Sequence, residues 1–281
     1  MTSDSGRAAT PPHPTPYPDV NAALYDLLSD VQTILGDHFR GMYLSGSLAL
    51  GDFAAYRSDI DVVVVTDADL PGDLLSRLRA MHARFNASDS PWATEVEAAY
   101  IPQSTLRRYD PAHACHPHIQ RGAGEALVMD QLDSGWIIQR AILREHGVAV
   151  AGPDPRTLID PLHPHDLRRA VVMLMDQWWG PMRADPIPLH RHSIGYQAYA
   201  VLTMCRILYT LDFGAVVSKP VAARWAREVL DERWAALIER ALAWRKEDQD
   251  TLSEGDVNET LDLIQYTLER CRAAEGFAKE D

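Results

Sequence analysis

Apolar residues recur at helical spacing between Asp19 and Phe39, where Val20, Leu24, Leu27, Leu28, Val31, Ile34 and Leu35 line one face of an amphipathic helix. The period then shortens. A run ending at Tyr43-Leu44 meets Gly46-Ser47 and helix-forming Leu48-Ala49-Leu50, and after a loop Asp59-Ile60-Asp61 opens onto Val62-Val63-Val64-Val65. Four consecutive β-branched residues predict a buried strand. Asp69 to Phe85 returns to helical spacing through Leu74, Leu75, Leu78 and Met81, and Trp92 to Ile101 reads as a second strand carrying Glu95 and Glu97. Residues 104–124 are irregular and read as a polar loop, Glu125 to Gly147 reads as a helix, and Val148-Ala149-Val150 reads as a last short strand.

Four prolines between Gly152 and His165 mark a linker. Beyond Leu167 the pattern is helical throughout, over Asp166–Trp179, Tyr196–Phe213, Pro220–Leu230, Glu232–Thr251 and Val257–Ala274. The first 18 residues are rich in proline, serine and threonine and predict a disordered tail. The expected class is α+β, with a tail over 1–18, a mixed sheet with flanking helices over 19–160, and an all-α helical bundle over 161–281.

Composition narrows the possible functions. The chain has 281 residues, 46% of them hydrophobic, enough for two modest cores. No apolar run reaches the ~18 residues that a membrane span needs, and no basic segment followed by an apolar one begins the chain. Cys115, Cys205 and Cys271 are odd in number and far apart, which predicts reduced thiols in a cytoplasmic protein. A net charge of −13 opposes a nucleic-acid footprint and favours approach of a small cation. His113, Cys115, His116 and His118 crowd one segment, but their spacing fits no closed four-ligand zinc pattern.

The chemistry concentrates between Tyr43 and Thr66. Small residues at Gly46-Ser47 let backbone N–H groups approach a ligand, and their place before a helix favours phosphate. Strand alternation sets Asp59 and Asp61 on one face. Paired carboxylates suit a hard cation such as Mg²⁺, and the valines that follow argue against a calcium loop. Glu95 and Glu97 share a face by the same alternation, so either they edge into solvent or one completes a carboxylate site for phosphoryl transfer.

This turn and Asp-x-Asp strand resemble the polymerase-β type of nucleotidyltransferase. Ala93-Thr94-Glu95-Val96 resembles the strand that carries the catalytic glutamate of the streptomycin/spectinomycin 3″(9)-adenylyltransferases. Leu202 to Tyr209 and Val217 to Ala226 resemble the helical domain of that family, with Arg206 and Lys219 on its ATP-binding arginine and lysine. The resemblance implies a cytoplasmic, Mg²⁺-dependent adenylyltransferase, monomeric, that moves AMP from ATP to a hydroxyl of a small cationic acceptor such as streptomycin or spectinomycin and so confers antibiotic resistance. It implies Glu95 as catalytic base, Asp59, Asp61 and Glu95 as metal ligands, and Gly46, Ser47, Ser58, Arg206 and Lys219 as nucleotide contacts.

On the acceptor side the sequence departs from the family. No tryptophan occurs in 104–124, where the family supplies one that stacks on substrate, and Tyr196 occupies the place of its main substrate aspartate. Trp178-Trp179 stands where an aromatic platform is expected, although paired tryptophans on a helix serve equally as core. Glu97, Asp185 and Asp176 are the carboxylates that could hold a cationic acceptor. A nucleotidyltransferase of the same fold with a different small-molecule or protein acceptor is the alternative.

Overall fold

The computed structural model describes residues 13–55, 57–185, 194–245 and 253–277. Helix α1 (Pro18–Leu35) leads into strand β1 (Phe39–Leu44), followed by α2 (Gly46–Leu50), β2 (Ile60–Thr66), α3 (Gly72–Asn86), β3 (Val96–Pro102) and α4 (Gln103–Arg107). Strands β4 (Cys115–Ile119) and β5 (Val128–Gln131), helix α5 (Gly135–His146) and strand β6 (Val148–Ala151) complete a six-stranded sheet in the order β5-β4-β3-β2-β1-β6. The sheet is mixed. Strands β2 and β3 are parallel with α3 as the crossover, and the other pairs are antiparallel.

Alternation along β2 divides its side chains between two cores. Ile60, Val62 and Val64 pack with α1 and α3 residues such as Val20, Leu24, Leu27 and Leu78, whereas Val63 and Val65 pack with Tyr43, Leu106, Leu143 and Leu158. Each side chain fully buried this way contributes about 1.5–3 kcal/mol of transfer free energy. Asp61 shares its parity with Val63, and Glu97 shares its parity with Ala99 and Ile101. Both acids therefore emerge on the second face, where α5 and the helical half of the molecule lie.

That half comprises α6 (Pro155–Leu158), α7 (Pro164–Leu174), a π-helical turn over Met175–Trp179, α8 (Pro181–Ala184), α9 (Ile194–Phe213), α10 (Lys219–Val229), α11 (Glu232–Trp244) and α12 (Glu254–Phe277). Central α9 packs against α7, α10, α11 and α12. Its Val201, Leu202, Met204 and Cys205 are fully buried, as an apolar helix surrounded by others requires. Ile138, Ala141 and Ile142 of α5 join the same core, so α5 couples the sheet to the helical half.

Several expectations need correction. The expected helix over Glu125–Gly147 begins only at Gly135, because Val128–Gln131 pairs with β4 as an edge strand. The segment 104–124 is not simply a loop, since it holds α4 and β4; Cys-His-Pro-His-Ile has no apolar alternation to betray a strand. Of the expected tail, residues 1–12 lie outside the described residues, while Thr15 is buried and bonded to Asn21 of α1. The end of the expected helix Glu232–Thr251 and most of the segment Pro181–Ser193 also lie outside the described residues.

Candidate active site

The turn after β1 is built around one close approach. Ser45 N–H donates to the Asp61 carbonyl at 3.0 Å, and Ser45 Oγ donates to Gln139 Oε1 of α5 at 2.9 Å. Gly46 then takes a positive φ of 53°, and a Cβ there would collide with the Asp61 carboxylate. Only glycine fits both the backbone and the space. Ser47 Oγ is buried and, among the described residues, has no hydrogen-bond partner. A buried hydroxyl without a partner is costly unless something polar reaches it. Ser58 is buried as well, and its Oγ accepts from Ala54 N at 3.1 Å, holding the loop that precedes β2.

Beside this turn Asp59, Asp61 and Glu97 bring carboxylate oxygens within 4.8 Å of one another, the only such acid, histidine or cysteine group among the described residues. The parallel register explains the trio: Ile60 pairs with Val96 and Asp61 with Glu97. Burial, and then the charges of Asp59 and Glu97, raise Asp61 well above the usual carboxylate range, while Lys219 and Arg206 pull it down. Three carboxylates whose oxygens lie this close, with Asp61 buried among them, fit a hard divalent cation. The residues present therefore suit Mg²⁺.

This trio differs from the expected set of Asp59, Asp61 and Glu95. Glu95 stands before the first residue of β3, its carboxylate accepts from Thr94 Oγ1 at 3.3 Å, and Arg121 Nη1 lies 3.9 Å away. Arg121 Nε also lies 3.6 Å from Asp59, so Glu95 borders the site without entering the close carboxylate group. Glu97, expected on the acceptor, takes that place. The chain carries a signal for it, since Asp61 directly precedes Val62–Val65 and Glu97 directly precedes Ala98–Ile101.

Glu97 is also held from outside the sheet pair. His118 of β4 lies with Nε2 3.2 Å from Glu97 Oε1 and Nδ1 3.2 Å from Asp130 Oδ2 of β5. Burial presses its pKa down, but the bonds to Glu97 and Asp130 outweigh burial and hold it above the ordinary histidine value. His118, Arg121, Asp52 and Arg245 lie in no periodic motif, so nothing in the sequence pattern marks them for the site.

Cations face the acids from the helical half. Arg206 projects from the middle of α9 and Lys219 is the first residue of α10; the charges of both act on Asp61. Burial, with Arg206 and Arg245 nearby, lowers Lys219 to about 8 against the opposing pull of Asp59 and Asp52. Lys219 Nζ sits 4.6 Å from the centroid of the Tyr199 ring. Arg245 closes the group, with Nη1 3.6 Å from Asp52 Oδ2 and Nη2 donating to the Asp52 carbonyl at 3.3 Å.

The expected acceptor residues separate. Trp178 is 57% exposed and its indole N–H bonds to Asp133. Trp179 is buried in the helical core, with its ring 5.8 Å from that of Tyr199, so the tryptophan pair divides between surface and core. Tyr196 is half-buried with its ring 5.8 Å from Tyr199, and Asp185 is exposed just after α8.

Residues 27–105 match the nucleotidyltransferase domain model, and residues 157–270 match the model described as aminoglycoside adenylyltransferase, C-terminal domain. The chain is 26% identical over 247 residues to a spectinomycin 9-adenylyltransferase of Staphylococcus aureus, covering 85% of this chain and 90% of the relative. It is 26% identical over 248 residues to an aminoglycoside (3'') (9) adenylyltransferase of Escherichia coli, covering 84% and 89%. In fold it resembles spectinomycin adenyltransferase AAD(9) from Enterococcus faecialis, solved with ATP and spectinomycin, with a TM-score of 0.68 at 18% identity over 89% of this chain and 98% of that one. The chain thus joins a nucleotidyltransferase domain to a domain of the kind that forms the C-terminal part of aminoglycoside adenylyltransferases.

Proposed function

We propose that the protein transfers the adenylyl group of ATP to a hydroxyl of a spectinomycin- or streptomycin-like aminocyclitol, a reaction that inactivates the antibiotic. One observation supports this above the rest: Asp59, Asp61 and Glu97 converge beside the Gly46-Ser47 turn and opposite Arg206 and Lys219. That arrangement has a place for a metal, a triphosphate and counter-charges to the triphosphate. The named activities of the bacterial relatives add the acceptor class.

Each part then has a task. The Gly46-Ser47 turn takes the phosphates, with the Ser47 hydroxyl as one donor, and Ser58 holds the loop beside it. Arg206 and Lys219 neutralise the triphosphate from the helical side, where desolvation strengthens charge-assisted bonds. Asp59, Asp61 and Glu97 would hold Mg²⁺, which when bound offsets negative charge on the phosphate oxygens. Glu97 accepts the proton of the acceptor hydroxyl as that oxygen attacks the α-phosphorus and pyrophosphate departs. Trp178, tied to Asp133, offers a cationic sugar an exposed ring and a carboxylate.

A net charge of −13 favours such a cation over nucleic acid, and the protein acts as a cytoplasmic monomer in this reading. No described helix is long and apolar enough to cross a membrane. A different small acceptor is the second reading, favoured by Tyr196 at the place of the family's substrate aspartate. The test is pyrophosphate release from ATP and Mg²⁺ with spectinomycin, streptomycin and a panel of other hydroxylated amines. Release that depends on spectinomycin or streptomycin is expected; release only with another amine selects the second reading, and none with any acceptor contradicts both.

A further inference from the structure

Glutamate has one more methylene than aspartate and one more torsion to restrain, so the longest acid of the trio needs the most support to point reproducibly at a ligand. The structure supplies that support from two strands outside the nucleotide-binding pair. His118 on β4 is mostly buried, with its side chain 12% exposed, and contacts a carboxylate through each ring nitrogen: Glu97 at 3.2 Å and Asp130 at 3.2 Å. Each ring nitrogen thus faces a carboxylate to which an N–H can donate. Asp130 stands on edge strand β5, directly opposite His116 in register, and is exposed on its far side. The contacts form one line from solvent to site, Asp130 to His118 to Glu97.

We propose that His118, anchored by Asp130, is a positioning residue that fixes the direction of the Glu97 carboxylate toward Asp59 and Asp61. The inference rests on the reading of Glu97 as the third acid of the site. Carboxylate–histidine pairs that orient a ligand from outside its coordination sphere characteristically matter by 10–100-fold in affinity or rate. Here both nitrogens are engaged, and one of the two partners belongs to the trio.

The test measures Mn²⁺ affinity by electron paramagnetic resonance in the full chain with α,β-methylene ATP, alongside kcat and KM for ATP. His118→Ala should weaken Mn²⁺ binding about 10–100-fold and lower kcat by a similar factor, with KM for ATP changed less than threefold. His118→Gln keeps an N–H donor toward Glu97 and should recover at least a third of the loss on a logarithmic scale. A loss of Mn²⁺ affinity below fivefold in His118→Ala overturns the proposal, as does His118→Gln behaving like His118→Ala. Should His118→Ala fail to fold, Asp130→Ala, at an exposed edge, decides by the same fivefold threshold. Weakened Mn²⁺ binding in a protein that adenylylates no acceptor would sink the proposed function while leaving the role of His118 standing.

Discussion

At Gly46 the backbone has a positive φ of 53°, and a side chain of any size would collide with the Asp61 carboxylate. Adding a Cβ in the left-handed region costs about 1–2 kcal/mol, which a domain of this size tolerates. The displaced carboxylate is the larger effect. Gly46→Ala should therefore stay folded, with a melting temperature only a few degrees lower, yet lose adenylyl transfer at least a hundredfold; activity within tenfold of wild type would show that the contact is dispensable. Lys219 gives a second expectation at this scale. Its pKa is lowered to about 8 by burial and neighbouring cations, so in the free protein its charge is complete well below pH 8 and disappears as pH rises through that value. The apparent kcat/KM for ATP should accordingly fall above about pH 8. Lys219→Arg, whose charge persists, should move the fall at least one pH unit upward, and an unshifted profile would assign the fall to another group.

Among the elements, β3 decides where the third acid stands. Its first strand residue is Val96, paired with Ile60, and this leaves Glu97 beside Asp61 while Glu95 bonds with Thr94 before the strand begins. Alternation alone put Glu95 and Glu97 on one face and could not choose between them, since the choice depends on inter-strand register. The crossover helix secures that strand from its other face, where His82 of α3 lies 2.7 Å from the Tyr100 hydroxyl of β3. Burial lowers His82 to about 4, so between pH 4 and 6.5 the unfolded chain binds the proton that the folded one refuses. Stability from this site is complete above pH 6.5 and is lost on acidification through that window, by about 2 kcal/mol between pH 7 and 5. Urea unfolding at the two pH values should show that loss in wild type and not in His82→Gln; equal losses in both would remove His82 from the acid sensitivity.

For the whole molecule, the helical half adds cations to the acids of the sheet half. Arg206 and Lys219 bring positive charge to a cluster of acids, and Arg245 bonds to Asp52 across the two halves. Much of this was legible in the chain. The Val62–Val65 run, the Gly46-Ser47 turn, the Asp59/Asp61 pair and the helices after Leu167 all lie in local patterns of a few residues. Strand β4 was not legible, because Pro117 and two histidines mask its alternation, and with it went His118. Arg121 and Asp52 lie in loops, and Arg245 at a helix end; only tertiary packing brings them to the site. The tryptophan pair divided for the same reason, because which ring faces the core follows from the π-helical turn over Met175–Trp179.

The identity of the acid that joins Asp59 and Asp61 decides how the site works. Single-turnover adenylyl transfer by Glu97→Gln and Glu95→Gln, measured side by side with ATP, Mg²⁺ and the acceptor found active, tests it most directly. Glu97→Gln should lose at least a thousandfold while Glu95→Gln stays within about tenfold, because general-base removal costs about 10²–10⁴ and loss of a metal ligand adds to it. The reverse order, with Glu95→Gln inactive and Glu97→Gln competent, would contradict it.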